Sequence, residues 1–350
     1  MPTFKADYLQ SLSSRIFQAA GASRSEGDRV AELLVEANLA GHDSHGVIRI
    51  PQYINFLKEG LIVPGAPIRV ENETPTTAVV DGNWGFGQVI ATHATDLAIS
   101  KAQKHAVSTV TVYNCNHIGR LGSYGLQIAR ADLIGLLTVN AHGGARSVAP
   151  FGGTARRLAT NPIAIAAPSG AEPIVLDITT SVVAEGKVRV KRNRGEQTPP
   201  GWIIDAEGNP TTDPNRFYGP PPGALLPFGG NAAHKGYGLS VIVDILSGAL
   251  SRAGCSRPEA TRIGNGVFIL VINPTAFTPL DLFKKQVDDF VAYVKSSPTA
   301  PGFTEILVPG EVEIREEKRR RAEGIFVEDE TWRQVTEVAQ TYGVSIGVSM

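Results

Sequence analysis

The N-terminal part of the chain carries apolar residues at helical spacing. They recur every three or four positions over residues 6–39, in two segments separated by residues 21–23. This period predicts two amphipathic helices, the second capped by Ser23 or Ser25, because a serine hydroxyl can accept a free backbone N–H of the first turn. A shorter helical pattern follows over residues 51–57. We therefore expect a helical layer at the start of the chain.

Short β-branched runs, separated by Gly, Asn and Pro, dominate the middle of the chain. The runs that predict strands of one sheet are residues 77–80, 108–113, 135–139, 163–167, 174–176 and 266–272. Helical patterns occupy residues 89–105, 124–131, 237–250, 282–296 and 331–342. The alternation predicts an α/β or α+β class: a mixed sheet flanked by helices, with C-terminal helices that can pack on the N-terminal ones.

Composition narrows the class of protein. Of 350 residues, 42% are hydrophobic, and 33 basic against 34 acidic side chains give a net charge of -1. No basic field would attract nucleic acid or an anionic membrane. The mixed charge run at residues 316–321 is typical of a solvated helix face. Two cysteines cannot form a disulfide framework, and no apolar run has the length of a signal peptide or a membrane span, so we expect a cytoplasmic protein.

The usual phosphate-binding loops are absent from the sequence. No GxGxxG follows an early strand, and no GxxxxGK[ST] occurs, which argues against a Rossmann sheet and against an NTPase. The nearest glycine-rich turns, residues 119–125 and 151–153, lack that spacing. No GxSxG elbow indicates a serine hydrolase either. The pattern alone thus indicates an α/β protein with polar clusters.

The first cluster lies at a helix junction. His45, Arg49 and Tyr53 follow one another at four-residue steps and would share one face of a helix. A guanidinium matches a carboxylate, and a nearby imidazole can move a proton at neutral pH, so the cluster suits an anionic oxo acid. A surface helix start, with Asp43 as its cap and His45 solvated, is the alternative.

A second cluster follows the strand predicted at residues 108–113. His117 stands just beyond the strand end, where α/β proteins collect ligand groups. A positioned histidine can give the proton that reduction of a carbonyl needs. A hydrogen-bonded histidine in a turn is the alternative. The histidines have no metal-ligand spacing, so no metal is expected.

Three later stretches combine loops with polar residues. Asp177 ends a strand and can accept ribose hydroxyls or cap a helix; His234 and Lys235 can reach phosphate oxygens or stay on the surface. Residues 307–311 form the third stretch.

Taken together, the chain resembles the malate/L-lactate dehydrogenase family that is distinct from the Rossmann lactate and malate dehydrogenases, and in particular its hydroxycarboxylate dehydrogenases. The resemblance runs nearly end to end. It rests on ordered strings: AGHDSHGVIRIPQY, DGNWGFGQV, NCNHIGRLGSYG, VAPFGG, ATNPIAIAAP, GWIIDAEGNPTTDP, HKGYGLS, VINP and PGEVE.

The resemblance implies an NAD(P)-dependent oxidoreductase of 2-hydroxy and 2-oxo acids. NAD is favoured over NADP, and a homodimer without nucleic-acid or membrane partners is implied. It also implies helical segments at residues 1–75 and 275–350 that form one domain around a cofactor domain at residues 76–274, with a mixed sheet. Reduction of cyclic imino acids, or a binding protein with a decayed site, are the alternatives.

The family's site residues carry over by motif. The implied catalytic residues are His45, His117 and Arg49, and the implied substrate contacts are Arg49, Tyr53 and His142. The implied cofactor contacts are His45, Gly119, Arg120, Leu121, Val175, Leu176, Asp177, Ile178, Thr179, His234, Lys235, Asn265, Gly310, Glu311, Val312 and Glu313. Two segments depart from the family: residues 178–181, and the stretch with His142 and Arg146, which leaves substrate identity open.

Overall fold

A computed structural model describes residues 2–142, 146–258 and 262–347. The α-helices are α1 (Ala6–Ala19), α2 (Arg24–Leu39), α3 (Ile50–Lys58), α4 (Gly87–His105), α5 (Leu121–Arg130), α6 (Glu185–Asn193), α7 (Pro214–Tyr218), α8 (Ala233–Asp244), α9 (Leu280–Lys295), α10 (Glu311–Glu323) and α11 (Asp329–Thr341). The strands are β1 (Thr3–Phe4), β2 (Arg69–Glu71), β3 (Thr77–Asp81), β4 (Val107–Cys115), β5 (Ile134–His142), β6 (Ile163–Ala167), β7 (Ile174–Ile178), β8 (Ile203–Ile204), β9 (Pro210–Thr211), β10 (Ala224–Leu225), β11 (Gly264–Ile272) and β12 (Ile325–Phe326).

The central sheet is mixed. Its seven strands lie in the order β2-β3-β4-β11-β5-β6-β7. Among these described strands only β3 and β4 pair in parallel, and the other neighbours are antiparallel. All six runs that the sequence predicts as strands lie in this sheet. The prediction of a mixed, non-Rossmann sheet is therefore confirmed.

One edge of this sheet collects the ends of several strands. The end of β4 pairs with the start of β11, which in turn pairs with the end of β5. The start of β6 pairs with the end of β7. Antiparallel pairing thus places polar residues from distant parts of the sequence along one line, which is where the candidate site lies.

Apolar residues of β3, β4, β11 and β5 form the core of the sheet together with the buried faces of α4 and α5. Four alanines of α4, Ala91, Ala94, Ala98 and Ala102, are almost fully buried there. Small side chains let this helix lie close against β4 and β11, because no bulky residue separates the backbones.

The N-terminal helices form a second core. The capping box of α2 pairs Ser23 with Glu26, so the predicted Ser23 cap is confirmed. Apolar side chains of α1–α3 pack with Ile325, Val335 and Ala339 from the C-terminal part of the chain. Helix α9 instead reaches the sheet side, where Lys284 pairs with Asp132 at 2.7 Å. The division at residues 75 and 274 stays a prediction.

A three-stranded sheet, β10-β8-β9, forms a smaller unit beside α6 and α7. Its core contains Val148, Val188, Ile203, Phe217 and Leu225. The loop at residues 219–223 connects α7 to β10. Over the described residues, no helix combines the length and the hydropathy that crossing a bilayer requires.

Candidate active site

The segment between α2 and α3 is folded into two short turns. Asp43–His45 and Val47–Arg49 each form one 3-10 turn, and the extended backbone of Gly46 separates them. A Cβ at Gly46 would lie 2.2 Å from the Asn38 side chain, so only glycine fits there. The expectation that His45, Arg49 and Tyr53 share one helix face is therefore wrong. The extended backbone of Gly46 interrupts the helix, and the Val47 N–H donates to the Asn38 side chain.

Asn38 holds these turns in place. Its side-chain oxygen accepts the N–H of Val47 at 2.9 Å, and its amide donates to Asp43 at 2.6 Å. Asp43 also pairs with Arg320 of α10 at 2.6 Å. Asp43 is thus a link between chain ends, and the alternative in which it caps a surface helix does not describe this segment.

His117 lies at the centre of the cluster. Its ring stacks on that of His45, with centroids 5.5 Å apart and 20° between the planes. Its Nδ1 lies 2.6 Å from the Tyr53 hydroxyl, which in turn accepts the Gln88 amide at 2.9 Å. Because Gln88 donates to the Tyr53 oxygen, the tyrosine hydrogen is free to point at Nδ1, which leaves the His117 proton on Nε2.

The surroundings keep both imidazoles neutral. Burial, then the charge of Arg49, lowers the pKa of His45 to about 3. Burial and Arg49 also hold the pKa of His117 well below its ordinary value. Burial raises the pKa of Tyr53 to about 12, so its hydroxyl keeps its proton. The stacked pair therefore carries no charge at neutral pH.

Arg49 supplies the cation of the cluster. Its Nε donates to the Ser44 carbonyl at 2.7 Å and its Nη1 to Gln52 at 2.7 Å. The side chain is half-buried, and within the described residues it forms no ion pair. An arginine in this position has guanidinium hydrogens available for an anion beside the two imidazoles.

Two asparagines fix the backbone that carries His117. The amide of buried Asn116 donates to the carbonyls of Leu61, Trp84 and Gly85. Asn265 of β11 accepts the N–H of Ile118 at 3.1 Å. Helix α4 begins against the same segment, since a Cβ at Gly87 would lie 2.2 Å from the His117 carbonyl oxygen. The position of His117 is thus set by three distant parts of the chain.

A cavity of about 190 Å³ lies beside Arg120, three residues after His117 in the sequence. Four of the residues expected to bind the cofactor line it, namely Arg120, Val175, Gly310 and Glu313. Val175 donates its N–H to the carbonyl of Pro309 at 3.2 Å, which joins the end of the sheet to the start of α10. Glu313 lies 3.3 Å from His42.

Arg120 is an enclosed cation of this cavity. Its side chain is 5% exposed and lies 3.5 Å from Glu36 and 3.8 Å from Asp177. Its Nε has no hydrogen-bond acceptor in the described residues. Burial raises the pKa of Glu36, an effect that Arg120 opposes. Although Glu36 and Asp177 lie close to the guanidinium, its Nε–H still lacks an acceptor, which fits a polar ligand in the cavity.

Asp177 closes the start of α5. Its Oδ2 accepts the N–H of Gly122 at 2.7 Å, and a Cβ on that glycine would lie 2.8 Å from the same oxygen. Gly119 and Leu121 belong to the turn before this contact, with Gly119 at a left-handed φ of 81°. Leu176, Ile178 and Thr179 flank Asp177. The turn after His117 and the end of β7 are therefore adjacent.

Other expected site residues lie apart from these contacts. His234 and Lys235 are exposed at the start of α8, where His234 meets only the ring of Phe151 among the described aromatic contacts. Glu311 pairs with Lys295 at 2.5 Å, and Val312 is 58% exposed. The structure does not bring these side chains to His117.

His142 is the last residue of β5 and pairs with Gly264 of β11 at the same sheet edge. It is 4% exposed, its ring meets the edge of Trp84 at 6.1 Å, and neither ring nitrogen has a partner in the described residues. Burial and Arg257 lower its pKa.

Sequence motifs do not point to several residues of the site. Gln88 contacts Tyr53 and Glu36 contacts Arg120, while Asn38 holds the two turns that carry His45 and Arg49. Only their positions in the fold indicate these roles. Gln88 lies within the DGNWGFGQV string, which is the one signal that the sequence offers for it.

A family model described as malate/L-lactate dehydrogenase matches residues 4–336. The L-lactate dehydrogenase of Cupriavidus necator is 38% identical, with 91% of this chain and 92% of that protein covered. Hydroxycarboxylate dehydrogenase B of Escherichia coli K12 is 36% identical, with 97% and 94% covered. The solved structure of malate dehydrogenase from Pyrococcus horikoshii superimposes with a TM-score of 0.89 at 36% identity and covers 98% of this chain and 96% of that one.

Proposed function

Because the chain belongs to the malate/L-lactate dehydrogenase family and is a hydroxy acid/oxo acid oxidoreductase, we propose that it transfers hydride between NAD(P)H and C2 of a small 2-oxo acid. One observation carries this proposal. A neutral His117, held by Tyr53 and stacked on His45, lies beside Arg49, which has no ion pair among the described residues. The cluster offers a proton donor and an anion-binding group side by side.

Arg49 orients the substrate. Two parallel N–H groups of a guanidinium hold a carboxylate in one orientation, which directs the adjacent carbonyl. A bound carboxylate also neutralises Arg49, whose charge lowers the pKa of His45 and His117 in the free protein. Substrate binding therefore raises the proton affinity of the imidazoles at the moment a proton is needed.

His117 holds and moves the proton. Once a bound carboxylate compensates Arg49, His117 takes up a second ring proton from solvent, and its Nε2–H then donates to the carbonyl oxygen during reduction, which returns the ring to its neutral form. For oxidation of the hydroxy acid, the hydrogen bonds run in the opposite direction: His117 carries its hydrogen on Nδ1 and donates it to the Tyr53 oxygen, so Nε2 is free as the base. Gln88 Oε1, which is buried without a partner in the described residues, can then accept the Tyr53 hydrogen once the amide is flipped. His45 covers the other face of the His117 ring and excludes water from it.

The cavity lined by Arg120, Val175, Gly310 and Glu313 would hold the adenosine end of the cofactor. The bound nicotinamide supplies or accepts the hydride. Arg120 would hold a phosphate group, and Asp177 and the backbone at Gly310 would accept or donate hydrogen bonds to ribose hydroxyls. Asn265, which accepts the N–H of Ile118, and the backbone of Gly119 and Leu121 would contact the cofactor between this cavity and His117.

We favour NAD as the cofactor. Glu172 lines the same cavity and forms no ion pair among the described residues, so its carboxylate can accept ribose hydroxyls and repels a 2′-phosphate. Within the described part of the chain, Arg130 and Lys318 also line the cavity without ion pairs, and they permit weaker binding of NADP.

The assembly is proposed to be a cytoplasmic homodimer, as the family resemblance implies. Helix α9 supports an interface, since it exposes Leu282, Phe290 and Tyr293 at 47%, 65% and 77%. Large apolar side chains grouped on one helix usually mark a protein contact.

The decisive experiment is oxidation of NADH and of NADPH with a panel of 2-oxo acids, from pyruvate and oxaloacetate to aromatic acids, and with a cyclic imino acid. Turnover of at least one 2-oxo acid is expected. Turnover of the imino acid alone would replace the proposal by the reductase alternative. Cofactor binding, seen as a change in nicotinamide fluorescence, without any turnover would indicate a binding protein.

A further inference from the structure

A second cavity, of about 300 Å³, lies between the segment after β5, helix α8 and the segment before β11. Its wall carries the side chains of Arg146, Arg157 and Arg257, and we call it the arginine cavity. Apolar side chains of Val241 and Ile245 form much of the remaining surface. It shares no lining residue with the cavity beside Arg120.

Within the described residues, the three guanidinium groups of the arginine cavity have no carboxylate partner. Arg146 and Arg157 donate to backbone carbonyls, those of Pro258 and Arg156, and no ion pair of the described residues includes any of the three arginines. Three like charges on one wall create a positive potential that attracts anions.

Asp244 is the one carboxylate that the described residues place on this wall, and it is already engaged. Its side chain is 4% exposed. It accepts the amide of Asn140 at 2.8 Å, and both the N–H and the hydroxyl of Ser256, at 3.1 and 2.6 Å. Its oxygens therefore face the protein, where they order the ends of β5 and α8, and the three guanidinium groups are left for an external anion.

The arginine cavity is connected to the proposed active site through His142. The charges of Arg257 and Asp244 both act on His142. A Cβ at Gly264 would lie 2.9 Å from the Nε2 of His142 and 2.7 Å from the Cys115 carbonyl oxygen, so both groups border the same glycine. Cys115 precedes the Asn116–His117 pair directly. His142 is thus near both Arg257 of the cavity and the segment that carries His117.

We propose that the arginine cavity binds an anionic group: a carboxylate, sulfonate or phosphate. Guanidinium forks recognise such groups through paired N–H donors, and Tyr237 on the same wall can add a hydroxyl. The anion is either the second acidic group of the substrate, a reading that rests on the proposed function, or a separate small anion. If the substrate supplies the anion, this cavity determines which 2-oxo acids with a second acidic group are used.

Binding is tested by calorimetric titration of the whole protein with inorganic phosphate at constant ionic strength. The variants are Arg257→Gln, an exposed position whose change opens no core, and Arg24→Gln as a control that removes one charge from helix α2. Loss of about one charge-assisted contact should weaken phosphate binding roughly tenfold in Arg257→Gln and leave the control at wild-type affinity.

Kinetics distinguish the two sources of the anion. If the substrate supplies it, Arg257→Gln raises KM for a 2-oxo acid with a second acidic group about tenfold and leaves KM for a mono-acid unchanged. If a separate anion binds, phosphate affinity falls while both KM values stay the same. The proposal is overturned if Arg257→Gln matches Arg24→Gln in phosphate affinity and in both KM values. Because the titration does not depend on turnover, it tests anion binding by the arginine cavity even if the proposed function is wrong.

Discussion

The rings of His45 and His117 stack 5.5 Å apart, although the two residues come from a turn after α2 and a turn after β4. Two parallel imidazolium ions would repel each other at this distance, and burial already lowers the pKa of both. At most one proton beyond neutrality can be held by the pair. The pair is therefore neutral in the free protein, and compensation of the Arg49 charge removes one of the causes that lower the pKa of both rings.

Replacing His117 by Ala should remove the proton donor. We expect kcat to fall by roughly 10²–10⁴-fold, the usual contribution of a general acid, with NADH affinity nearly unchanged. Single-turnover rates and a fluorescence titration of NADH measure the two quantities separately. Wild-type turnover in this variant would remove His117 from the mechanism.

Tyr53→Phe should act through His117. Without the hydroxyl 2.6 Å from Nδ1, the ring loses its preferred tautomer, so kcat should fall about tenfold and the pH profile should shift. Tyr124→Phe is the matched control, since that hydroxyl donates to the Ile118 carbonyl at 2.6 Å and not to a histidine. The control should lower stability alone. An unshifted pH profile in Tyr53→Phe would make its role purely structural.

Arg49→Lys should impair substrate selection in spite of the retained charge, because a lysine cannot hold a carboxylate by two parallel donors. We expect kcat/KM for 2-oxo acids to fall by an amount that corresponds to a loss of about 2–4 kcal/mol of transition-state stabilisation, with cofactor affinity unchanged. Arg189→Lys, on the neighbouring helix α6, serves as the control. The measurement compares a 2-oxo acid with its neutral amide. An undiminished preference for the acid in Arg49→Lys would show that another cation holds the carboxylate.

His45 should make the free energy of unfolding depend on pH in the acid range. The folded state keeps this imidazole neutral down to about pH 3, whereas the unfolded chain protonates it near 6.5. Between these values the unfolded state binds more protons, so the stabilisation is complete above about pH 6.5 and is lost as the pH falls toward 3. Urea denaturation across this range should show a shallower pH dependence in His45→Asn than in wild type. Equal slopes would contradict the assigned environment.

The charged residues that line the cavity beside Arg120 should determine the preference between NADPH and NADH. Lys318→Glu should weaken NADPH binding about tenfold and leave NADH binding unchanged, since only the 2′-phosphate meets the altered charge. Glu172→Lys should have the opposite effect and tighten NADPH binding. Fluorescence titrations of both cofactors with both variants are the test. Equal changes for NADH and NADPH would place the 2′ position elsewhere.

Patterns within a short stretch of sequence predicted local structure well. The six strand runs, the Ser23 cap and the helical patterns all depend on neighbours within a few residues, where side-chain periodicity and hydrogen bonding act directly. The missing GxGxxG motif also predicted correctly that the sheet is not a Rossmann sheet. The helix boundaries were less exact, as α8 begins at Ala233 and not at Tyr237.

The proximity of groups distant in sequence was decided by tertiary structure. Four-residue spacing suggested one helix face for His45, Arg49 and Tyr53, but the extended backbone of Gly46 interrupts the helix there. Tyr53 and His117 meet across 64 positions of sequence because antiparallel pairing sets the strand ends and the helical layer closes over them. By itself the sequence indicated which residues are candidates for the chemistry and most of the local structures around them. Only packing and strand register decided which of them touch, because those contacts depend on the whole core and not on neighbouring residues.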